Sequence, residues 1–150
     1  MPKTQQQIKA DFKEFSYDRL YMDIALRVAE MSHDEKHRVG CVIVKNGILA
    51  EGWNGSPTGF PNETRDSEGN TLSWVIHAEQ NAIAKCAQKG VSCKGATLYV
   101  TLAPCRDCAR LILQSGITKV VYGKRFSDKE GLNLLKTAKL NVYQFIVKED

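Results

Sequence analysis

The sequence has no apolar run approaching the roughly 20 residues that a membrane-spanning helix needs. Residues 1–13 are polar and contain no apolar core segment, which argues against an export signal. Internal repeats and low-complexity tracts are missing. Charge of one sign is also scarce: a formal net charge of +4 permits a phosphate-bearing partner without demanding a nucleic-acid polymer. The cysteines, Cys41, Cys86, Cys93, Cys105 and Cys108, are odd in number, which with no export signal argues against a disulfide framework. Thiols in a reducing compartment are then free for metal binding or catalysis, and a cytoplasmic protein is expected. What is present is ordinary. The 150 residues, 43% hydrophobic and 25% charged, suffice for one core and exclude wholesale disorder.

Residues 1–16 are polar apart from Phe12 and Phe15 and read as a loose arm, leaving 17–150 as one domain. From Tyr17 the pattern becomes helical, with Asp18 as a cap and Leu20, Ile24, Val28 and Met31 on one face. The apolar run 39–45 reads as a strand, Asn46-Gly47 as a hairpin turn, and 48–53 as the returning strand. A loop rich in Gly and Pro spans 54–72, a length that is usually functional or disordered. Helices follow over 77–89, 105–114 and 131–138, and strands over 96–102, 118–122 and 141–147. A hairpin followed by alternating helices and strands predicts an α/β fold with a five-stranded mixed sheet, its later strands parallel, covered by helices.

Three segments carry polar chemistry: Trp53-Asn54-Gly55, His77-Ala78-Glu79 and Pro104-Cys105-Arg106-Asp107-Cys108. Cys105 and Cys108 stand three apart at a helix start, so both sulfurs share a face, and the helix N-terminus favours their thiolates. His77 opens another helix. If both helices start at one sheet edge, an imidazole and two thiolates converge as zinc ligands, and a catalytic zinc site leaves a fourth position open to water. Glu79 would stand beside that position as a proton carrier. Each part also has a plainer reading. Cys-x-x-Cys is equally a thiol redox arrangement. A histidine at a helix start is often structural. A closed structural zinc could recruit Cys41, Cys86 or Cys93. Taken together, His-x-Glu followed by Pro-Cys-x-x-Cys matches the signature of zinc nucleobase deaminases.

On these residues the chain resembles the cytidine-deaminase-like superfamily of three-layer α/β/α folds. The stretches 38–44, 52–57, 77–83 and 98–108 are most similar to its deoxycytidylate (dCMP) deaminase branch. The resemblance implies His77, Cys105 and Cys108 as zinc ligands and Glu79 as the proton shuttle. It implies Asn54 against the substrate sugar, and Phe126 where the family often has a tyrosine near the substrate. Backbone at Ala78 and Ala103 to Cys105 becomes a candidate reader of the base. Arg38 leads Lys36, His37, Lys124 and Arg125 as the cation for a 5′-phosphate. Residues 54–76 contain neither Cys nor His, so no second zinc is expected in that loop. The activity implied is zinc-dependent hydrolysis of dCMP to dUMP and ammonia, supplying thymidylate synthesis. By the same resemblance the protein is a homo-oligomer, a hexamer being favoured, activated by dCTP and inhibited by dTTP with magnesium (Mg2+), with Gly55 and Ser56 near that second nucleotide. A virus-encoded source is compatible with this reading. The alternatives are a deaminase of the same fold acting on another base or nucleoside, such as tRNA adenosine, guanine or cytidine, and a non-catalytic zinc-stabilised nucleotide-binding protein. The chain ends without a basic helix, so a polymer partner is not expected.

Overall fold

The apolar run 39–45 becomes β1 (Gly40–Val44), and Asn46-Gly47 turns the chain back into β2 (Ile48–Trp53), antiparallel to it. Asn46 and Gly47 adopt positive φ, 54° and 113°, which lets the tight hairpin reverse. The computed structural model describes residues 1–148, and the side chains of these except 12–15. Phe12, Phe15, Glu149 and Asp150 therefore lie outside the described side chains.

β3 (Thr97–Leu102) pairs antiparallel with the other edge of β1, while β4 (Lys119–Lys124) and β5 (Asn141–Gln144) add in parallel. The order β2-β1-β3-β4-β5 is the mixed sheet expected from the sequence. Strand alternation divides the core. Cys41, Ile43, Leu98, Val100, Val120 and Tyr122 face α2 (Ala78–Lys89), α3 (Arg106–Gln114) and α4 (Glu130–Thr137). Val42, Tyr99 and Val121 face α1 (Gln5–Ala29). The result is three layers, with the sheet covered on both sides. β5 stops short of residue 147, and Phe145 and Val147 pack into the α1 core instead.

α1 departs from expectation in two ways. It starts at Gln5, so most of the expected loose arm is helical. Thr4 Oγ1 accepts from Gln7 N at 3.1 Å while Gln7 Oε1 accepts from Thr4 N at 2.8 Å, a capping box that starts the helix there. Asp18 is consequently not a cap. It lies inside the helix, buried, accepting from Tyr99 OH at 2.7 Å and from Tyr143 OH. The buried stripe is also rotated: Met22, Ala25 and Ala29 face the sheet, Ile24 and Val28 flank them, and Leu20 and Met31 are exposed. The reason is close approach. A Cβ on Gly40 would meet Ala25 O at 1.9 Å, so β1 touches the helix backbone and only small residues fit the contact. Among the described residues no helix is long and apolar enough to cross a membrane.

Sheet direction places the site. β2 and β3 both run against β1, so they run together. The residues after β2, the residues after β3 and the approach to β1 therefore meet at one edge. α2 is drawn to that edge by Asn81 Nδ2, which donates to Trp53 O at 3.0 Å. It lies flush on β2, where a Cβ on Gly52 would meet Ala78 O at 2.5 Å. The long loop is ordered: Gly55 pairs with Ile76 and Arg65 with Thr71.

Candidate active site

His77 occupies the N-cap of α2 and Cys105 the N-cap of α3, with Cys108 in the first turn of α3. Both helices begin at the shared edge, and their N-termini direct positive potential at it. His77 Nδ1 lies 3.2 Å from Cys108 Sγ and 3.4 Å from Cys105 Sγ. All three ligand atoms fall within 4.8 Å of one another. Zn–S bonds of about 2.3 Å and Zn–N bonds of about 2.1 Å in a tetrahedron separate S from N by about 3.5 Å, so the donor set and spacing fit zinc. Cys108 is buried, Cys105 half-buried and His77 exposed, so the cluster is shut on its inner side and open on its outer one. The backbone here is held from behind by α4.

Hydrogen bonding with Cys108, then with His77, holds the Cys105 thiol down at about 4. The same bond to Cys105, together with burial, pushes the Cys108 thiol far up. The hydrogen bond to Cys105 raises His77 against the opposing effect of burial. Burial pushes the Glu79 carboxyl up to about 7, with its own backbone N–H and the charge on His77 pulling it partly back. A carboxyl poised near neutrality can both take and give a proton.

A cavity of about 240 Å³ opens onto the cluster. Its lining includes His77, Ala78, Glu79, Cys105 and Ala103, and also Asn54 and Phe126, so most of the expected site residues converge. Asn54 is clamped: Oδ1 accepts from Val39 N at 2.9 Å and Nδ2 donates to His37 O at 2.7 Å, leaving one N–H and one lone pair. Ala103 N–H already donates to Lys124 O at 2.8 Å, so it is not available to a base. Arg38 does not line the cavity; it borders a neighbouring groove with Lys36 and Lys124, and its Nε donates to Asp34 O at 3.3 Å. Arg125 lines another depression, and only His37 of the proposed phosphate cations reaches the cavity. Gly55 and Ser56 hold the loop, Gly55 through Ile76 and Ser56 through Glu63 O at 2.7 Å. Asp34, Arg65, Thr71 and Val75 also line the cavity and were not foreseen. A lone Arg in a polar loop carries no periodicity or spacing that would mark it.

Residues 16–124 match the family described as the cytidine and deoxycytidylate deaminase zinc-binding region. The chain belongs to this family. It is 35% identical to the deoxycytidylate deaminase of Saccharomyces cerevisiae over 146 residues, covering 90% of this chain and 46% of that protein. The deoxycytidylate deaminase of Enterobacteria phage T4 is 35% identical over 166 residues, covering 81% and 86% respectively. The chain spans about half the length of the fungal relatives it matches. Among solved structures, the dCMP deaminase of cyanophage S-TIM5 in complex with dCMP and dUMP superimposes with a TM-score of 0.84 at 37% identity, covering 87% of this chain and 97% of that one. His77 and Glu79 of the one motif and Cys105 of the other line the same cavity.

Proposed function

We propose that the chain is a zinc-dependent dCMP deaminase, producing dUMP and ammonia. The observation that carries the reading is the His77–Cys105–Cys108 cluster opening onto a cavity whose wall contains the buried carboxyl of Glu79. A structural zinc would need no such carboxyl and would have a fourth side chain. A redox Cys-x-x-Cys would need no imidazole between its sulfurs.

A zinc ion held by these three side chains would supply a nucleophilic water at neutral pH. Glu79 takes a proton from the water and delivers it to N3 of cytosine as the water oxygen bonds to C4. Glu79 then carries the second proton to the amino group, the C4–N bond breaks, and ammonia leaves. The pocket walls, Val39, Val75, Leu102 and Phe126, exclude solvent from the base. Asn54, fixed by the backbone of residues 37–39, offers its remaining N–H and lone pair to the sugar. Phe126 supplies a ring and no hydroxyl. A cavity of about 240 Å³ is small against the roughly 300–1,000 Å³ of ordinary ligand pockets and suits a single base with its sugar.

The product dUMP would feed thymidylate synthesis. Activation by dCTP, inhibition by dTTP with magnesium, and homo-oligomer formation extend this reading on resemblance alone. Free cysteines throughout fit the reducing cytoplasm. The test is a metal analysis paired with an ultraviolet assay on dCMP, cytidine and dCTP. Stoichiometric zinc and selective turnover of dCMP are expected; zinc without turnover of any of the three would overturn the reading.

A further inference from the structure

We propose that Asp34 is a positioning residue of the cavity, its one carboxylate setting both the long loop that walls the cavity and the Asn54 amide at its edge. This rests on the deaminase reading, in which Asn54 meets the sugar, and names the residue through which that amide and the loop are held together.

Asp34 lies between α1 and β1 and is 2% exposed. Its Oδ1 accepts from His37 N at 2.7 Å and from Lys36 N at 2.9 Å, which folds residues 34–37 into a tight turn. The same oxygen accepts from Arg65 Nη2 at 3.0 Å and Nε at 3.3 Å, while Oδ2 accepts from Thr64 Oγ1 at 2.9 Å. Both oxygens are engaged by donors of the protein itself, drawn from two segments far apart in the chain. Asp34 therefore acts on the site through what it holds.

One arm reaches Asn54. Asp34 fixes His37 N, and His37 O accepts from Asn54 Nδ2 at 2.7 Å. Two residues on, Val39 N donates to Asn54 Oδ1 at 2.9 Å. Ser32, also buried, closes the ring: its Oγ accepts from Asp34 N at 3.2 Å and donates to Asn54 O at 2.8 Å. The amide is thus held at its oxygen, its nitrogen and its backbone by a turn whose shape Asp34 sets.

The other arm reaches the loop. Thr64 and Arg65 form one limb of a small antiparallel turn, in which Leu72 N donates to Thr64 O at 2.8 Å and Arg65 bridges to Thr71. Arg65 Nη1 donates to Gly69 O at 3.0 Å and ties the tip of the turn. The returning limb supplies Thr71 and Val75 to the cavity lining, then pairs Ile76 with Gly55, the residue after Asn54. Gripping Thr64 and Arg65 therefore sets the wall that Thr71 and Val75 form. The Arg65 side chain is 13% exposed and that of Asp34 2%, so separating the segments would leave a buried charge unpaired, which is strongly unfavourable.

The experiment measures kcat/KM for dCMP in the zinc-loaded wild type, D34N, N54A and the double variant, and backbone amide exchange in the same proteins without substrate. D34N is expected to keep its zinc and to lose roughly 10- to 100-fold in kcat/KM, the range for losing charge-assisted hydrogen bonds. In the N54A background the same change should cost less by at least about threefold, because residues that act through one another are not additive. Exchange at the Leu72 and Ile76 amides should quicken roughly 10-fold or more in D34N while the amides of β3 and β4 keep their protection. A D34N cost equal in both backgrounds, or exchange that quickens in the core strands as much as in the loop, overturns the proposal, since a merely structural carboxylate would behave so. If D34N does not fold, S32A and T64V, each cutting one arm, decide on the same criteria: S32A must couple to N54A, and T64V must free Leu72. Wild-type turnover of dCMP judges the deaminase reading by itself, and the exchange readout stands with or without it, so the two failures are told apart.

Discussion

Gly131 abuts Pro104. A Cβ on Gly131 would meet the Pro104 carbonyl oxygen at 2.0 Å and the Cys105 carbonyl oxygen at 2.8 Å. The first turn of α4 therefore lies against the backbone that presents a candidate metal ligand, Cys105. Gly131→Ala must move one or the other, and overpacking of this type costs about 1–3 kcal/mol. The expected result is a lower thermal midpoint together with faster loss of zinc to a chelator. An unchanged midpoint and unchanged metal retention would show that the contact yields freely.

Glu79 faces the cavity but is not among the three residues that could hold a metal ion. Glu79→Ala is expected to keep its zinc and to lose at least about 10²–10⁴-fold in kcat, the usual contribution of a positioned acid–base group. Metal content and steady-state turnover on the same preparation check both halves. Near-normal turnover would remove Glu79 from the reaction.

Cys108 is the buried anchor of the ligand cluster. Cys108→Ala leaves two donors at a site that fits three, so stoichiometric zinc is expected to be lost on dialysis and turnover with it. Wild-type protein stripped by a chelator should regain activity on adding zinc, while the variant should not. Atomic absorption before and after dialysis gives the metal count.

Asp34 predicts a pH dependence of stability. Burial alone would raise its carboxyl, but donors from His37, Arg65, Lys36 and Thr64 outweigh burial and hold the pKa at about 2 against an ordinary 3.8. The folded protein thus binds this proton less readily than the unfolded chain. Its contribution is fully present above 3.8 and is lost as pH falls from there through 2, a total of about 2 kcal/mol. Urea unfolding down this range should show that slope in the wild type, and D34N should lack it. A D34N variant with the wild-type acid slope would contradict the assignment.

The convergence at the candidate site was legible because its residues announce themselves locally. His77, Cys105 and Cys108 sit at helix starts, beside Pro104 and after strands whose apolar alternation is plain, and Glu79 follows its histidine by two. The Asn46-Gly47 turn fixed the direction of β2, and with it the edge where these pieces meet. Asp34 and Arg65 were opaque for the opposite reason. They lie far apart in the chain, and neither belongs to a periodic segment, so only the folded loop joins them. Arg38 borders the neighbouring groove and not the cavity, because adjacency to β1 along the chain does not fix which side of the edge a side chain occupies. The start of α1 was hidden in Thr4 and Gln7, whose reciprocal bonds outweigh a polar composition. Its buried stripe was misjudged because Gly40 demands small partners, Ala25 and Ala29, where a count of large apolar residues points elsewhere.

The sheet has a second rim, marked by the Asn46-Gly47 turn and by the glycines at 95 and 116. None of the metal donors, nor Glu79, nor Arg65, belongs to it. Foreign sequence grafted at this end would ride on the barrier of strands without disturbing the reacting groups, which makes it a place for tags or reporters to be attached.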